Sequence, residues 1–328
     1  MIHGGCRPRG KSKSEFQSVP AIQMLPREEM SLKAEESIVL SSFKLKIADI
    51  SDVELAKLHA LSITVGWPHR AEDWEMLRDL GHGIVALDEI GRALGTAMWF
   101  PYGPDFATIG MVITSPRLQA YGAGRWMMEH VLAQAGPRDF GLNATRAARR
   151  LYLSMGFTAT KTVYQCQGEA VAPEPAPPAG ASLRDVGPAD LAELAALDRN
   201  AYGVDRLELL ARLLEVSKGV ALMRRGQIRA FALCRRFGRG HVIGPVVAET
   251  DEDAIAVIRP HVAGHAGRFL RLDTRQQTGA FPEFLARSGL QIFDTVTSMW
   301  LDRPLTVGEG KPGGKHLLTY ALASQTLG

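Results

Sequence analysis

The sequence predicts a mixed α/β fold, an α+β sheet with helices on both faces, built twice in tandem with a degenerate second copy. Three observations predict it. The periodicity of the first half reads strand, two helices, three strands, helix, strand, helix, strand. Residues 171–181 hold Pro173, Pro175, Pro177 and Pro178 among alanines, a semi-rigid linker. Beyond that linker the pattern of the first half recurs. The expected organisation is a disordered extension over 1–42, a first domain over 43–170, the linker, a degenerate second domain over 182–303 and a tail over 304–328.

The elements follow in order. Leu45 and Ile47 alternate with lysines as a short strand, and Asp49 to Asp52 supply N-caps for a helix carrying Leu55, Leu58 and Leu61. Gly66-Trp67-Pro68-His69-Arg70 interrupts it, and a second helix over 72–80 turns Trp74 and Leu77 inward. Strands over 84–87 and 94–100 flank a turn at 88–91, and after the turn at 102–105 another strand runs from Phe106 through Gly110-Met111-Val112-Ile113-Thr114. A turn at Pro116 and the loop Gln119-Ala120-Tyr121-Gly122-Ala123-Gly124 lead to a helix starting near Arg125. Met127, Met128, Val131, Leu132 and Ala135 share one face of it, and Gly136-Pro137 ends it. The strand Phe140–Thr145 and the helical stretch Leu151–Phe157 complete the unit.

Composition bounds the function. A chain of 328 residues suits two cores better than one. Hydrophobic residues at 46% and charged ones at 22% are those of soluble globular proteins. A net charge of +3 with no continuous basic face excludes nucleic acid as a partner, and no apolar run is long enough to cross a bilayer. Cys6, Cys166 and Cys234 are odd in number and far apart, which indicates a reducing cytoplasmic interior. The basic start, Arg7 to Lys13, has no apolar stretch after it and is no secretory signal. A transit peptide and a start at Met24 or Met30 stay open for this segment. A monomer or a homodimer is expected.

The repeat is an internal control. Gly83 with Val85-Ala86-Leu87 matches Gly219 with Val220-Ala221-Leu222; Gly110–Ile113 matches Gly244–Val247; Gly156-Phe157 matches Gly289-Leu290. The loop does not repeat: in place of Gln119–Gly124 stands Asp253-Ala254-Ile255-Ala256, with Glu249, Asp251 and Glu252 nearby, and Tyr152 becomes Leu285. Such a segment repels a polyphosphate. His261 and His265, four apart, have no acid or cysteine to complete a metal set and are expected at the surface; no metal is implied. Gly238 and Gly240 read as a hairpin turn.

A glycine-containing loop leading into a helix N-terminus can seat phosphate on its backbone amides, and Gly122 and Gly124 put no Cβ in the way. It is not a dinucleotide fingerprint, since Met127 stands where a third glycine would be, and no Gly-Lys-Ser/Thr follows. Gln119, Gly122 and Gly124 with Pro116 ahead, then Asn143, Tyr152 and Gly156-Phe157, resemble the GNAT superfamily of acetyl-CoA-dependent N-acetyltransferases. The tandem arrangement with its Gly66–Arg70 segment is similar to the YitH-like acetyltransferases of bacteria. Ala120 departs mildly from the glycine many members carry.

The resemblance implies two tandem GNAT domains and acetyl-CoA as donor, seated by Gln119, Ala120, Tyr121, Gly122, Ala123, Gly124 and Arg125. It implies that Val112 and Thr114 offer backbone groups to the pantetheine arm, with the amide near Val112 polarising the thioester carbonyl. Asn143 would hydrogen-bond the arm, and Tyr152 would protonate the departing thiolate. Trp67, His69, Arg70, Trp74 and Tyr102 are the expected acceptor pocket. The general base stays open among His69, Glu72, Asp73, His82, Asp105 and a water relay. The expected activity is direct transfer to a primary amine of a small molecule, with no cysteine as acyl carrier. The alternatives are a protein lysine or N-terminal acetyltransferase and a non-catalytic acyl-CoA sensor or interaction protein.

Overall fold

The computed structural model describes Met1 and residues 37–40, 43–119, 121–176, 178, 180–305 and 316–328. The first half runs β1 (Ser37–Leu40), β2 (Phe43–Asp49), α1 (Leu55–Thr64), α2 (Ala71–Leu80), β3 (His82–Leu87), β4 (Ala93–Tyr102), β5 (Phe106–Thr114), α3 (Ala123–Ala135), β6 (Asp139–Ala144), α4 (Arg149–Ser154) and β7 (Thr158–Glu169). The second runs β8 (Ser182–Val186), α5 (Leu191–Tyr202), α6 (Leu207–Val216), β9 (Ser217–Arg224), β10 (Gln227–Phe237), β11 (Gly240–Ala248), α7 (Asp251–Gly264), β12 (Phe269–Thr274), α8 (Ala280–Arg287), β13 (Gln291–Leu301) and β14 (Leu318–Ala321).

The expected disorder over 1–42 lies outside the described residues except at Met1 and at Ser37–Leu40. There it is corrected: β1 pairs antiparallel with β2 from Ser37↔Lys46 to Leu40↔Phe43, so the backbone groups of this short apolar run are taken up by the sheet.

Among the described residues all fourteen strands join one sheet, in the order β1-β2-β3-β4-β5-β6-β13-β7-β12-β11-β10-β9-β8, with β14 added to β11. The centre of that order is an exchange. β13, the last long strand of the second half, lies between β6 and β7 of the first, pairing Ser298 with Asn143 and Val296 with Val163. In return β7 pairs with β12, Arg271 opposite Gln167. Each half thus closes its sheet with a strand from the other.

The pleat assigns the helices to faces. Val85, Met98 and Phe100 pack into one core with Leu58, Leu61 and Trp74 of α1 and α2. Their neighbours Ile84, Ala86, Ala97 and Trp99 point the other way, onto Trp126, Met127 and Val131 of α3. The first of these cores also holds Leu194, Tyr202, Leu210 and Leu213 of α5 and α6, so both halves share it. The outer helices α7 and α8 cover the second half's opposite face through Val257, Ile258, Phe281 and Phe284.

Candidate active site

Pairing between β5 and β6 is parallel and stops early, at Ile109↔Leu142. From there the strands diverge, and the edge of β5 from Gly110 to Thr114 has no partner on β6. At the start of this opening β5 bulges: Thr96 pairs with Ile113 and Met98 with Gly110, so Met111 and Val112 leave the β4 ladder. Met111 takes a left-handed φ of 50°, and its carbonyl accepts a 2.8 Å hydrogen bond from the Thr96 hydroxyl. A bulge pinned in this way leaves Val112 outside the β4 ladder, beside the opening.

The expected loop sits at the far end of the same opening. Gly122 is the N-cap of α3 with a φ of 87°, which only glycine adopts without strain. The helix therefore begins at Ala123, two positions earlier than expected. Gln119 donates to the Thr114 carbonyl, and Arg125 reaches the Ser154 carbonyl on α4. Ala123 is buried and Tyr121 is exposed; Ala120 lies outside the described residues.

A cavity of about 500 Å³ opens from the divergence toward α1 and α2, lined by Val112, Asn143, Tyr152, Trp67 and His69 among the expected residues. Tyr152, 5% exposed on α4, packs edge-on against Phe157, and burial raises its phenol above the ordinary value. His69 keeps an imidazole lowered to about 4, first by burial, and its Nδ1 is sealed without a hydrogen-bond partner. It is therefore neutral at physiological pH.

The other expected acceptor residues do not line the cavity. Trp74 is buried in the shared core and donates to the Ser62 hydroxyl at 2.8 Å. Tyr102 stacks on Phe106 and donates to the Leu327 carbonyl at 2.7 Å, which directs its polar end away from the opening. Arg70 is spent on Asp73, with its side chain 2.6 Å from Oδ1, while Asp73 also accepts from the Arg70 and Gly238 amides. Burial would raise the Asp73 carboxyl, but these hydrogen bonds hold it below the ordinary range. Of the open general-base candidates only His69 and Asp73 reach the cavity; Glu72, His82 and Asp105 do not.

A wall from the second half is expected of the acceptor cleft; the residues that make it, and the part played by the tail, escaped sequence reading. The second half supplies a wall, with Arg235, Phe237 and Arg271 from its strands and Asp294 from β13. The one sequence signal was Arg235-Arg236 directly after the apolar run Ala230–Cys234. The tail supplies another wall. The Asn143 side chain, expected to face the cofactor, donates instead to the Gln325 carbonyl at 2.7 Å and accepts from Ser298 at 2.7 Å. Thr326 lies where a Cβ on Gly110 would be.

The second half shows why the repeat has no site of this kind. β11 and β12 stop pairing at Ile243↔Leu272, as β5 and β6 do at their counterpart residues. That opening is filled by β14, which pairs Val246 with Ala321 and whose Tyr320 carbonyl accepts from Thr274. The bulge on β11 falls at Gly244-Pro245, and Val246, the counterpart of Val112, is paired with Ala321 of β14. The acidic run sits on and before α7, where Asp253 pairs with Arg224 at 2.6 Å. His261, expected at the surface, is 5% exposed: its ring packs inward against the Ala232 carbonyl. Among the described residues no group of His, Cys, Asp and Glu side chains could hold a metal ion, and no helix is long and apolar enough to cross a membrane.

A divergent parallel strand pair with a bulge beside it, a glycine-capped helix and a buried tyrosine define an acyl-transfer fold, and comparison with known proteins agrees. Two domain families, each described as an acetyltransferase (GNAT) domain, match residues 79–159 and 194–309. The chain belongs to the GNAT acetyltransferases and carries two such domains. A curated relative, the "Uncharacterized N-acetyltransferase YitH" of Bacillus subtilis (strain 168), is 26% identical over 292 residues, covering 85% of this chain and all of its own. Among solved structures, a Pyrococcus horikoshii protein described as an acetyltransferase superposes with a TM-score of 0.71 at 17% identity, covering 89% of this chain and 98% of its own. A tandem GNAT protein from the clavulanic acid biosynthesis pathway has a TM-score of 0.57 at 14% identity, covering 78% and 98%.

Proposed function

We propose that this acetyltransferase uses acetyl-CoA, that its chemistry is confined to the 43–170 half, and that it transfers the acetyl group directly to the primary amine of a small molecule. The observation that carries the reading is the convergence of Val112 and Tyr152 on one cavity at the point where β5 and β6 part. The residues fit the donor. The free edge of β5 can take the pantetheine arm as an added strand, and the left-handed Gly122, with open space around its Cα, leaves room for phosphate at the start of α3. The thioester supplies the acetyl group; the residues of the chain orient it and manage its charge.

In that arrangement the Val112 N–H hydrogen-bonds the thioester carbonyl oxygen as negative charge develops there. Tyr152 gives its phenolic proton to the departing sulfur. His69 is neutral and lines the cavity, so its ring can accept, through water, the proton that the attacking amine sheds. Cys166 and Cys234 are unsuited to carry the acyl group: burial pushes their thiols up to about 11 and about 12, so they remain protonated. A small acceptor is favoured over a protein chain because both halves and the tail wall the cavity, whose volume of about 500 Å³ suits a metabolite-sized ligand.

Calorimetry with acetyl-CoA tests the donor site. Valine at Gly122 forces a β-branched residue into a left-handed conformation, and valine at Gly124 brings a side chain toward Leu151. Each is expected to weaken binding by about tenfold or more. Unchanged affinity in both variants would remove the loop from the donor site.

A further inference from the structure

Two arginines packed inside this fold face a carboxylate. Arg206 meets Asp198 at 2.7 Å and Arg271 meets Asp273 at 2.8 Å. A guanidinium stays charged at working pH, and removing it from water costs several kcal/mol unless a counter-charge is near. Arg235 differs from these two. It is 2% exposed and lines the cavity, yet it makes no ion pair among the described residues. Its Nη1 and Nη2 donate to the Gly244 and Ala323 carbonyls, and its Nε is buried without a partner. The carboxylates that could have answered it are engaged: Asp73 by Arg70 and Asp273 by Arg271.

The sheet register explains why this charge reaches the cavity. Arg235 lies opposite Val242, Val242 opposite Arg271, and Arg271 opposite Gln167, one row across β10, β11, β12 and β7. Residues opposite one another point to the same face, and Arg235, Arg271 and Gln167 all line the cavity. Both guanidinium groups lie beside the Phe237 ring, at 5.8 and 5.6 Å. The second half thus gives the cavity a wall carrying Arg235, Arg239 and Arg271, with Asp294 beside them and Arg271 already paired with Asp273, while Val112 and Tyr152 belong to the first.

We propose that this wall is an anion subsite centred on Arg235, and that the amine acceptor carries a carboxylate or phosphate that binds there while its amine points toward Val112. The assignment rests on the acetyltransferase reading above and adds the acceptor's chemical class. It also gives the second half a role in substrate selection.

The test uses the full-length protein with matched amine pairs: β-alanine against 3-aminopropanol for the carboxylate, and O-phosphoethanolamine against ethanolamine for the phosphate. Thiol release from acetyl-CoA is expected to show kcat/KM at least tenfold higher for the anionic member of one pair or both, which identifies the anion. Arg235→Met should bring that ratio toward one. Because Arg235 also holds the tail through Ala323, wild-type protein supplies an independent arm. Calorimetry without acetyl-CoA should show the anionic member binding at least tenfold more tightly than its neutral partner. Turnover of neutral and anionic amines alike, with equal affinities, would overturn the subsite and leave the enzyme reading intact. Selective anion binding with no turnover of any amine would retain the subsite and count against the enzyme reading.

Discussion

Tyr152 is 5% exposed, and burial alone raises its phenol above the ordinary value of about 10. That direction does not disqualify it as an acid. Burial disfavours every anion, and the thiols of Cys166 and Cys234 rise with it for the same reason. A thiolate leaving in this cavity is thus a stronger base than in water, so the proton still has reason to move to sulfur. Tyr152→Phe keeps the ring against Phe157 and deletes only the hydroxyl that carries the proton. It is expected to lower kcat by about 10²-fold or more with little change in acetyl-CoA affinity or melting temperature. Full turnover in the variant would move the acid elsewhere. His261 carries a different prediction. Burial lowers its imidazole from 6.5 to about 4, with His265 and Lys218 acting in the same sense and Asp185 and the Ala232 carbonyl opposing. The unfolded chain takes up this proton near pH 6.5 and the folded one only near 4. The contribution to stability is therefore complete above pH 6.5 and is lost as pH falls toward 4, a difference of about 3 kcal/mol. Urea midpoints between pH 7 and 5 should fall less steeply in His261→Gln than in wild type. Equal slopes would mean that His261 does not titrate this way.

At the level of elements, much of the first half was legible because its periods are clean. Trp74 and Leu77 of α2 do turn inward, and Met127, Met128 and Val131 do form the buried face of α3. The loop before α3, the strand ahead of it and a helix carrying Tyr152 could be placed from type and spacing, but not the bulge on β5. The acceptor wall could not. Arg235 and Arg271 lie 36 positions apart, and only the pairing of β10, β11 and β12 sets them in one row. The exchange of β7 and β13 was equally hidden, since a strand's own pattern selects its face and not its neighbour. β14 is the clearest case: four residues, Leu318–Ala321, with no signal beyond an apolar run, yet they fill the opening of the second half. Its continuation is held by Arg235 at Ala323, by Tyr102 at Leu327 and by Arg206 at Gly328. A methyl at Gly244 would collide with the Leu322 carbonyl, and backbone cannot swing aside as a flexible side chain would. Gly244→Ala should therefore lower stability by about 2 kcal/mol or more. Hydrogen exchange should show lost protection over 318–328, and the acceptor KM should rise because Ser324–Thr326 line the cavity. Wild-type protection across that segment would mean the tail is not held by this contact.

For the whole molecule, the two copies visible in the sequence need not be two units of stability. Residues Ala34 to Gly328 form one compact unit, the largest core mixes α1 and α2 with α5 and α6, and each half lends the other a strand of its sheet. Removing residues 171–328 would strip β13 from between β6 and β7 and expose Val85, Met98 and Phe100 where α5 and α6 help cover their core. A fragment of 37–170 is therefore expected to aggregate or remain unfolded. The intact chain offers a cleaner test. Trp99 and Trp126 report on the core beneath α3 in the first half, while Trp67 and Trp74 sit in or against the core that both halves share. Cys234 is buried in the second, on β10. If the halves unfold together, tryptophan fluorescence and Cys234 accessibility to a thiol reagent should follow one urea midpoint. The slope should match exposure of both halves at once. Two separated midpoints would show that the exchanged strands can part while each copy stays folded. The cavity would then have a wall able to leave on its own, and acceptor affinity should collapse at the lower midpoint while acetyl-CoA binding persists to the higher one.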